Sequence, residues 1–180
     1  MSENIVREDI ATIARSLGKD AKKFESKTIF ISGGGGFLGK FIVGTLCYLN
    51  DNILSEPCRV ISVDNNITGK SHPHFNYKGR SDVLEVWGDI TQPLPVREPI
   101  HYILHAAGLA SPVYYKKYPL ETIESAVSGA KHLLELARKN NKIFKGFLFF
   151  SSSEIYGDPD EKSVPTPETY HGYVSSVGPR

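Results

Sequence analysis

The feature that most constrains the fold is an apolar run, residues 28–32, that leads into four consecutive glycines. The run has the composition of a buried parallel strand, and an apolar helical pattern begins at Phe37. Between them the spacing Gly-x-x-Gly-x-x-Gly is formed by Gly33, Gly36 and Gly39. Glycine lets the chain turn tightly, lets the backbone approach a bound group, and lets helix and strand pack closely. The spacing therefore predicts a strand-to-helix turn whose free N–H groups bind phosphate.

A second predicted strand, residues 59–64, ends in a carboxylate, Asp64. An acid at this position accepts hydrogen bonds from the adenosine ribose hydroxyls and repels a 2′-phosphate, so it favours NAD over NADP. Asn65, Thr68 and Lys70 follow at the same edge of the sheet, where open α/β sheets bind ligands. Lys70 is either a phosphate contact or a solvated loop lysine, and the sequence leaves both readings open.

The glycine turn also partly matches the phosphate-binding loop of nucleoside triphosphatases. Gly34, Gly39 and Lys40 have the required spacing, but the next position must be Ser or Thr to reach magnesium, and here it is Phe41. An apolar ring cannot ligate a hard cation, so the sequence favours the dinucleotide-binding turn.

Strand and helix patterns alternate along the rest of the chain. Further strands are predicted at 83–90, 102–108 and 146–150, and helices at 37–49 and 120–140. This alternation predicts an α/β fold with a doubly wound parallel sheet, the Rossmann architecture.

Small and acidic residues end two of these predicted strands. Asp89 and Ile90 close the third strand, where the acid can bond the adenine amine, and small residues close the fourth, where they leave room for a flat ligand. The small residues are Ala106, Ala107 and Gly108.

Residues 1–26 carry a helical apolar stripe that ends at Gly18, and we expect a helical extension without chemistry. Residues 27–180 are predicted to form the NAD-binding domain.

The formal net charge of +1 gives no field that would attract nucleic acid or an anionic membrane, so the predicted partners are small molecules. No apolar run approaches the length of a membrane span, and a cytoplasmic location is expected.

The two cysteines, Cys47 and Cys58, lie in apolar surroundings and are predicted to be buried thiols. His72 and His74 have no third ligand nearby, so no metal site is predicted.

Four segments together resemble one family: 33–39, 64–70, 105–115 and the run Ser-Ser-Glu-Ile-Tyr-Gly-Asp-Pro at 152–159. They resemble the extended short-chain dehydrogenases/reductases that act on nucleotide sugars, and most of all the subgroup that decarboxylates UDP-glucuronate. The closing run, 167–180, resembles that subgroup as well, and the likeness spans about residues 27–180.

The resemblance implies a division of roles around bound NAD. The backbone of Gly36, Phe37 and Leu38 would hold the pyrophosphate, and Asp64 and Asn65 would hold the adenosine ribose. The end of the third strand would hold the adenine, and the end of the fourth strand would line the path of the dinucleotide. Thr68, Lys70, Gly33 and Gly39 complete the implied cofactor set, and Ser111 and Tyr115 are the implied substrate contacts.

The resemblance also implies the chemistry. Members of this family oxidise the sugar at C4 and reduce it again within one turnover, with NAD as the hydride carrier. Ser152 matches the residue that bonds the sugar 4-hydroxyl, and Glu154 matches the carboxylate that acts beside C5.

Several departures keep other activities open. Dehydratases of the family carry an acid where this chain has Ser153, and 4-epimerases usually lack Glu154, so decarboxylation is favoured over both. The long helix of the family usually presents an Asn where this chain has Ala126, so a supporting hydrogen bond is either missing or comes from Ser125. A non-catalytic NAD-binding module is the alternative from another class.

The Tyr-x-x-x-Lys pair that supplies the family's general base does not follow Glu154 in this sequence. We therefore expect an amino-terminal half, truncated before the substrate domain, that binds NAD weakly and does not turn over by itself. Related enzymes dimerise through the long helix and the one after it, which implies a homodimer without establishing one.

Overall fold

A computed structural model describes residues 3–69, 77–94, 96–172 and 174. It divides into two compact units, one up to Phe149 and one from Phe150 onward. The second unit contains two short 3₁₀ turns, Ser153–Tyr156 and Glu161–Ser163.

The first unit is built on a five-stranded sheet in which every neighbouring pair is parallel. The strands are β1 (Thr28–Ser32), β2 (Arg59–Asp64), β3 (Val83–Trp87), β4 (Tyr102–His105) and β5 (Gly146–Phe149). Their order across the sheet is β3-β2-β1-β4-β5. This is the order of the classic dinucleotide-binding sheet, and it confirms the predicted fold class.

Helices connect the strands on both faces of the sheet. They are α1 (Glu3–Ser16), α2 (Phe37–Asn52), α3 (Pro112–Lys117), α4 (Pro119–Glu124) and α5 (Ala130–Lys139). A 3₁₀ segment, Gly18–Phe24, follows α1, and a π turn, Ser125–Gly129, joins α4 to α5. α3 was not predicted.

The central strand β1 is buried on both faces, as a parallel sheet covered by helices requires. Ile29 and Ile31 belong to a cluster that includes residues of α1 and α2. Phe30 belongs to a second cluster, on the other face, with Leu133 and Ala137 of α5. This alternation fixes which helix covers which face of the sheet.

Three strands end earlier than the sequence predicts. β3 ends at Trp87 instead of Ile90, β4 at His105 instead of Gly108, and β5 at Phe149 instead of Phe150. The apolar composition continues past these points, but the strand-to-strand pairing does not. The residues released in this way form loops at the carboxyl edge of the sheet.

The predicted helix 120–140 is helical throughout but is interrupted by the π turn. After the turn Leu133 and Ala137 are buried, whereas the apolar residues Ile123, before the turn, and Val127, within it, are exposed. A π turn holds one residue more than an α turn, so it rotates the apolar stripe before the turn relative to the stripe after it.

α1 packs on α2, and its Ala14 lies in the same cluster as Ile29 and Ile31. Cys47 and Cys58 are buried free thiols, as predicted, and burial raises the pKa of each to about 12. Among the described residues no helix is both long and apolar enough to cross a membrane.

The two-sided core makes a testable distinction between buried and exposed isoleucines. Ile61 in β2 has none of its surface exposed, whereas Ile123 in α4 is 62% exposed. We expect Ile61→Ala to lower the free energy of unfolding by about 2–5 kcal/mol, because it leaves a cavity in the core. Ile123→Ala, the matched control, should change it by less than about 0.5 kcal/mol in urea denaturation. Equal losses for the two variants would contradict the assigned core.

Candidate functional site

A crevice opens at the carboxyl ends of β1 and β4. The connection that leaves β1 runs through α2 on one face, and the one that leaves β4 runs through α3 to α5 toward the other. The loops therefore diverge at this point, and in open α/β sheets such a divergence is where ligands bind.

The glycine turn forms one wall of the crevice and is held by backbone bonds to β2. The N–H groups of Gly33 and Gly34 both donate to the carbonyl of Val63, at 2.8 and 3.3 Å. Gly36 N–H donates back to the Gly33 carbonyl at 3.0 Å and caps the start of α2. The turn thus places the amino end of a 16-residue helix at the crevice.

Glycine is required in this turn by space as well as by conformation. Gly33 has φ +75°, and a Cβ there would lie 2.7 Å from the backbone nitrogen of Ala107. A Cβ on Gly39 would overlap the Gly33 carbonyl oxygen, and one on Gly34 would overlap the Ser62 hydroxyl. Side chains are thereby excluded where helix, strand and turn meet.

Asp64 braces the turn from the end of β2. Its Oδ2 accepts a 2.9 Å hydrogen bond from Gly35 N–H, and its Oδ1 accepts a 2.7 Å bond from Asn66 N–H. Each carboxylate oxygen keeps a second lone pair. The carboxylate therefore organises the turn and can still accept a bond from a ligand hydroxyl, which is the role predicted from the sequence.

The crevice draws its lining from the ends of β1, β2, β3 and β4 and from α4 with the first residue of the π turn. The lining residues are Gly33, Gly36, Val63, Asp64, Asn65, Ile67, Thr68, Gly88, Asp89, Ile90, Thr91, Ala106, Ala107, Gly108, Leu109, Glu121, Glu124 and Ser125.

Most of the predicted cofactor residues meet in this crevice. Those that line it are Gly33, Gly36, Asp64, Asn65, Thr68, Asp89, Ile90, Ala106, Ala107 and Gly108. Phe37, Leu38 and Gly39 lie in the first turn of α2, next to the crevice but not among its lining residues. Lys70, like His72 and His74, lies outside the described residues.

The two predicted substrate contacts do not line the crevice. Ser111 is exposed at the start of α3, and Tyr115 is half-buried within α3. The neighbouring Tyr114 makes the contact between α3 and the site, because its hydroxyl donates to the carbonyl of the crevice residue Thr68 at 2.9 Å. The run of tyrosines indicated this region but not which ring reaches the crevice.

The predicted catalytic residues, Ser152 and Glu154, both lie in the second unit and are exposed. Ser152 Oγ accepts a 3.2 Å bond from Glu154 N–H and so caps the short turn Ser153–Tyr156. Their catalytic roles stay predictions.

Sequence reasoning missed two acids that line the crevice, Glu121 and Glu124. Their spacing was the available signal, since residues three and four apart share one side of a helix, and Ser125 lies beside them. Ser125 lines the crevice, whereas Ala126, at the position where the family usually has an Asn, is exposed and does not. The Ser125 hydroxyl donates to the Thr122 carbonyl at 3.0 Å.

The crevice lining is acidic. Its charged members are Asp64, Asp89, Glu121 and Glu124, and no lysine or arginine joins them among the described residues. Such a lining suits donors such as ribose hydroxyls and an adenine amine, and disfavours an extra 2′-phosphate. Within the described ranges no group of three His, Cys, Asp or Glu could hold a metal ion.

The residues present fit a dinucleotide. The turn offers the first N–H groups of α2 to a pyrophosphate, and a Cβ would be excluded at Gly33, Gly34 and Gly39. The carboxylates of Asp64 and Asp89 lie at the ends of β2 and β3. A dinucleotide whose pyrophosphate lies at the glycine turn extends its adenosine part toward these two strand ends.

The parallel sheet, the glycine turn and the acidic crevice define a dinucleotide-binding protein of the Rossmann class. Comparison with known families makes the assignment narrower. The chain belongs to the NAD dependent epimerase/dehydratase family, which it matches over residues 29–176. The family confirms both the predicted resemblance and NAD as the cofactor.

Relatives with known names match most of this chain. UDP-glucuronic acid decarboxylase 5 of Arabidopsis thaliana is 36% identical over 152 residues, which cover 84% of this chain and 41% of that protein. UDP-glucuronic acid decarboxylase 1 of Xenopus tropicalis is 30% identical over 181 residues, covering 97% and 40%. This chain thus spans about two fifths of the length of these relatives.

Solved structures of epimerases are similar to this chain in fold. UDP-glucose 4-epimerase from Bifidobacterium longum, in complex with NAD+ and UDP, is 27% identical with a TM-score of 0.55, over 75% of this chain and 40% of that one. An epimerase from Methanothermobacter thermautotrophicus has a TM-score of 0.64 at 20% identity, over 80% and 42%, and supports the fold alone.

The crowding at Gly33 can be tested by substitution. Gly33→Ala places a Cβ against the backbone of Ala106 and Ala107 at a positive φ, so we expect the free energy of unfolding to fall by about 2 kcal/mol or more. Gly108→Ala is the control, because a Cβ there meets nothing within 4 Å. It should stay within about 1 kcal/mol of the parent chain in urea denaturation. A Gly33→Ala protein as stable as the parent would contradict the described turn.

Proposed function

We propose that this chain is the NAD-binding portion of an enzyme that oxidises a nucleotide sugar at C4, with UDP-glucuronate decarboxylation as the specific activity. The observation that carries the proposal is the crevice, which combines the glycine turn, Asp64 and the small residues after β4 at one edge of the sheet. The similarity to UDP-glucuronic acid decarboxylases supports the choice of substrate.

The crevice residues have separate tasks in this proposal. The first turn of α2, with Phe37 and Leu38, holds the pyrophosphate through backbone N–H groups. Asp64 and Asn65 accept hydrogen bonds from the adenosine ribose, and Asp89 receives the adenine amine. Ala106, Ala107 and Gly108 leave space beside β4 for the rest of the dinucleotide.

Bound NAD supplies the hydride acceptor and donor for the sugar C4 position. Ser152 orients the sugar 4-hydroxyl by a hydrogen bond. The hydroxyl proton then faces the general base, and the C–H bond at C4 faces the nicotinamide ring of NAD. Glu154, in its protonated form, donates a proton to C5, because loss of the carboxylate as carbon dioxide leaves an enolate carbon there that must be protonated.

Two related activities are the nearest alternatives. A 4,6-dehydratase must protonate a departing hydroxyl, and Ser153 is a far weaker acid than the carboxylate that this task requires. The 4-epimerases that this chain resembles usually lack an acid at the position of Glu154. Decarboxylation is the activity that makes use of Glu154 without requiring an acid at 153.

We further propose that the 180 residues bind NAD without completing the reaction alone. No tyrosine in this sequence is followed four positions later by lysine, so the pair expected to act as general base is absent from it. A cytoplasmic location and a homodimer stay predictions.

The preference for NAD is tested at Asp64. We expect Asp64→Asn to weaken NAD binding at least about tenfold. The charged acceptor for the ribose is lost, and one of the two N–H groups, of Gly35 or of Asn66, loses its acceptor because the side-chain NH2 of Asn is a donor. Calorimetry with NAD and NADP should show NAD preferred by the parent chain and a smaller preference in the variant. Glu8→Gln, which changes an exposed acid in α1 that does not line the crevice, is the control and should bind NAD unchanged. Parent-like NAD affinity and selectivity in Asp64→Asn would contradict the assigned role.

The activity is tested on the chain extended by the sequence that follows residue 180 in its gene, supplied with NAD and UDP-glucuronate. We expect UDP-xylose and carbon dioxide, and no product from the 180 residues alone. Ser152→Ala and Glu154→Gln should each lower the rate at least about 100-fold while NAD stays bound. Ser151→Ala is the matched control and should stay within a few-fold of the parent.

The products separate the alternatives. A 4-keto-6-deoxy sugar from a nucleotide hexose would establish a dehydratase, and interconversion at C4 would establish an epimerase. NAD binding with no nucleotide-sugar product in the extended chain would favour the non-catalytic module and overturn the proposed enzyme.

A further inference from the structure

A buried imidazole lies directly behind the crevice. His105 is the last residue of β4, is only 2% exposed, and precedes the crevice residues Ala106 and Ala107. Its Nδ1 lies 2.8 Å from the hydroxyl oxygen of Ser32, the last residue of β1. The two side chains therefore join the neighbouring strands at the point where the glycine turn begins.

This junction is also where the two walls of the crevice come closest. Ala106 N–H donates to the Ser32 carbonyl at 3.0 Å, and Ala107 N–H donates to the Ser32 hydroxyl oxygen at 3.4 Å. A Cβ on Gly33 would lie within 2.8 Å of the backbone of Ala106. A small change in the Ser32–His105 pair would thus shift one crevice wall against the other.

The hydrogen-bond inventory gives the direction of the bond. The Ser32 hydroxyl oxygen already accepts from Ala107, and its one proton needs an acceptor, which Nδ1 of neutral His105 provides. In this tautomer Nε2 carries the ring proton. Nε2 is buried and has no hydrogen-bond partner among the described residues.

The surroundings of the ring are uncharged. Ser32 faces it from β1, Phe149 of β5 contacts it edge-on with ring centroids 5.2 Å apart, and the backbone of Ser125 faces it from the π turn. Burial lowers the pKa of His105 below 6.5, and the Ser125 backbone raises it only in part. Within the described part of the chain, no charged side chain contributes to that shift.

We propose that His105 is a positioning residue for the dinucleotide: as a neutral ring it accepts the Ser32 hydroxyl and so fixes the glycine turn against the wall formed by residues 106–108. The proposal rests on the proposed NAD site. Protonation would turn Nδ1 into a donor, remove the acceptor for Ser32, and place an unpaired charge in the core. NAD affinity should therefore fall as the ring becomes charged at low pH, and because burial lowers the pKa of His105 this happens at a lower pH than for an exposed histidine.

A second histidine offers a matched control at the opposite end of the same strand pair. His101 precedes β4, and its Nδ1 accepts a 3.0 Å bond from Thr28 N–H at the start of β1. Its pKa is also lowered, by burial and by Lys27 and Lys145. It thus bridges β1 and β4 in the same way as His105 but at the amino edge of the sheet, away from the crevice.

The experiment measures NAD dissociation constants by calorimetry at pH 7.5 and 5.5 for the 180-residue chain and its variants. We expect the parent chain to bind NAD more weakly at the lower pH, by no more than about tenfold, because burial holds the pKa of His105 below its ordinary value. His105→Asn keeps a neutral acceptor for Ser32, so it should bind NAD within a few-fold of the parent at pH 7.5 and lose the pH dependence. His101→Asn should keep the parent pH profile. His105→Leu should bind about tenfold more weakly at both pH values.

Circular dichroism at each pH establishes that each variant is folded. If His105→Leu does not fold, Ser32→Ala replaces it, because it removes the same hydrogen bond with little change in volume. A folded His105→Leu or Ser32→Ala protein with parent affinity, or a His105→Asn protein with the parent pH profile, would overturn the positioning role. A parent chain that binds no NAD at either pH would overturn the proposed function itself, and the positioning role with it.

Discussion

The structure depends on the way β2 holds the glycine turn. Val63 accepts bonds from the N–H groups of Gly33 and Gly34, and Asp64 accepts one from Gly35. The turn has no side chains with which to hold itself, so its shape is dictated by the end of the neighbouring strand. Because β1 and β2 are paired residue by residue from Thr28 onward, the register of that pairing also sets where the amino end of α2 lies. The proposed phosphate site is thus a consequence of sheet register.

This dependence explains how much of the fold the sequence predicts. Buried parallel strands are continuous apolar runs, so β1 and β2 are predicted with their observed ends. The ends of β3 and β4 are not, because Asp89 and Gly108 lie beyond the last paired residues and nothing in their composition shows where pairing stops. Pairing is a property of two strands, and a single stretch of sequence describes only one of them.

The crevice residues also separate into those that the sequence predicts and those that it does not. Residues that follow strands, such as Asp64 and Ala107, are predictable because parallel strands bring their carboxyl ends to one edge of the sheet. Glu121 and Glu124 reach the crevice from a helix that continues through a π turn, where Gly129 packs so closely on Ile90 that a Cβ would lie 2.5 Å from its side chain. That contact joins residues about forty positions apart, so no local pattern of helical periodicity indicates it.

Asp64 links the scaffold to the choice of cofactor. The carboxylate that would repel a 2′-phosphate is the same one that satisfies the amides of Gly35 and Asn66. Replacing it by a basic residue to accept NADP would leave two partly buried N–H groups without their acceptor, at a cost of about 1–3 kcal/mol for each. A change of cofactor preference in this chain therefore requires a second change that supplies a new acceptor under the glycine turn. In the proposed site, selectivity for NAD and the shape of the glycine turn are thus coupled through one side chain, that of Asp64.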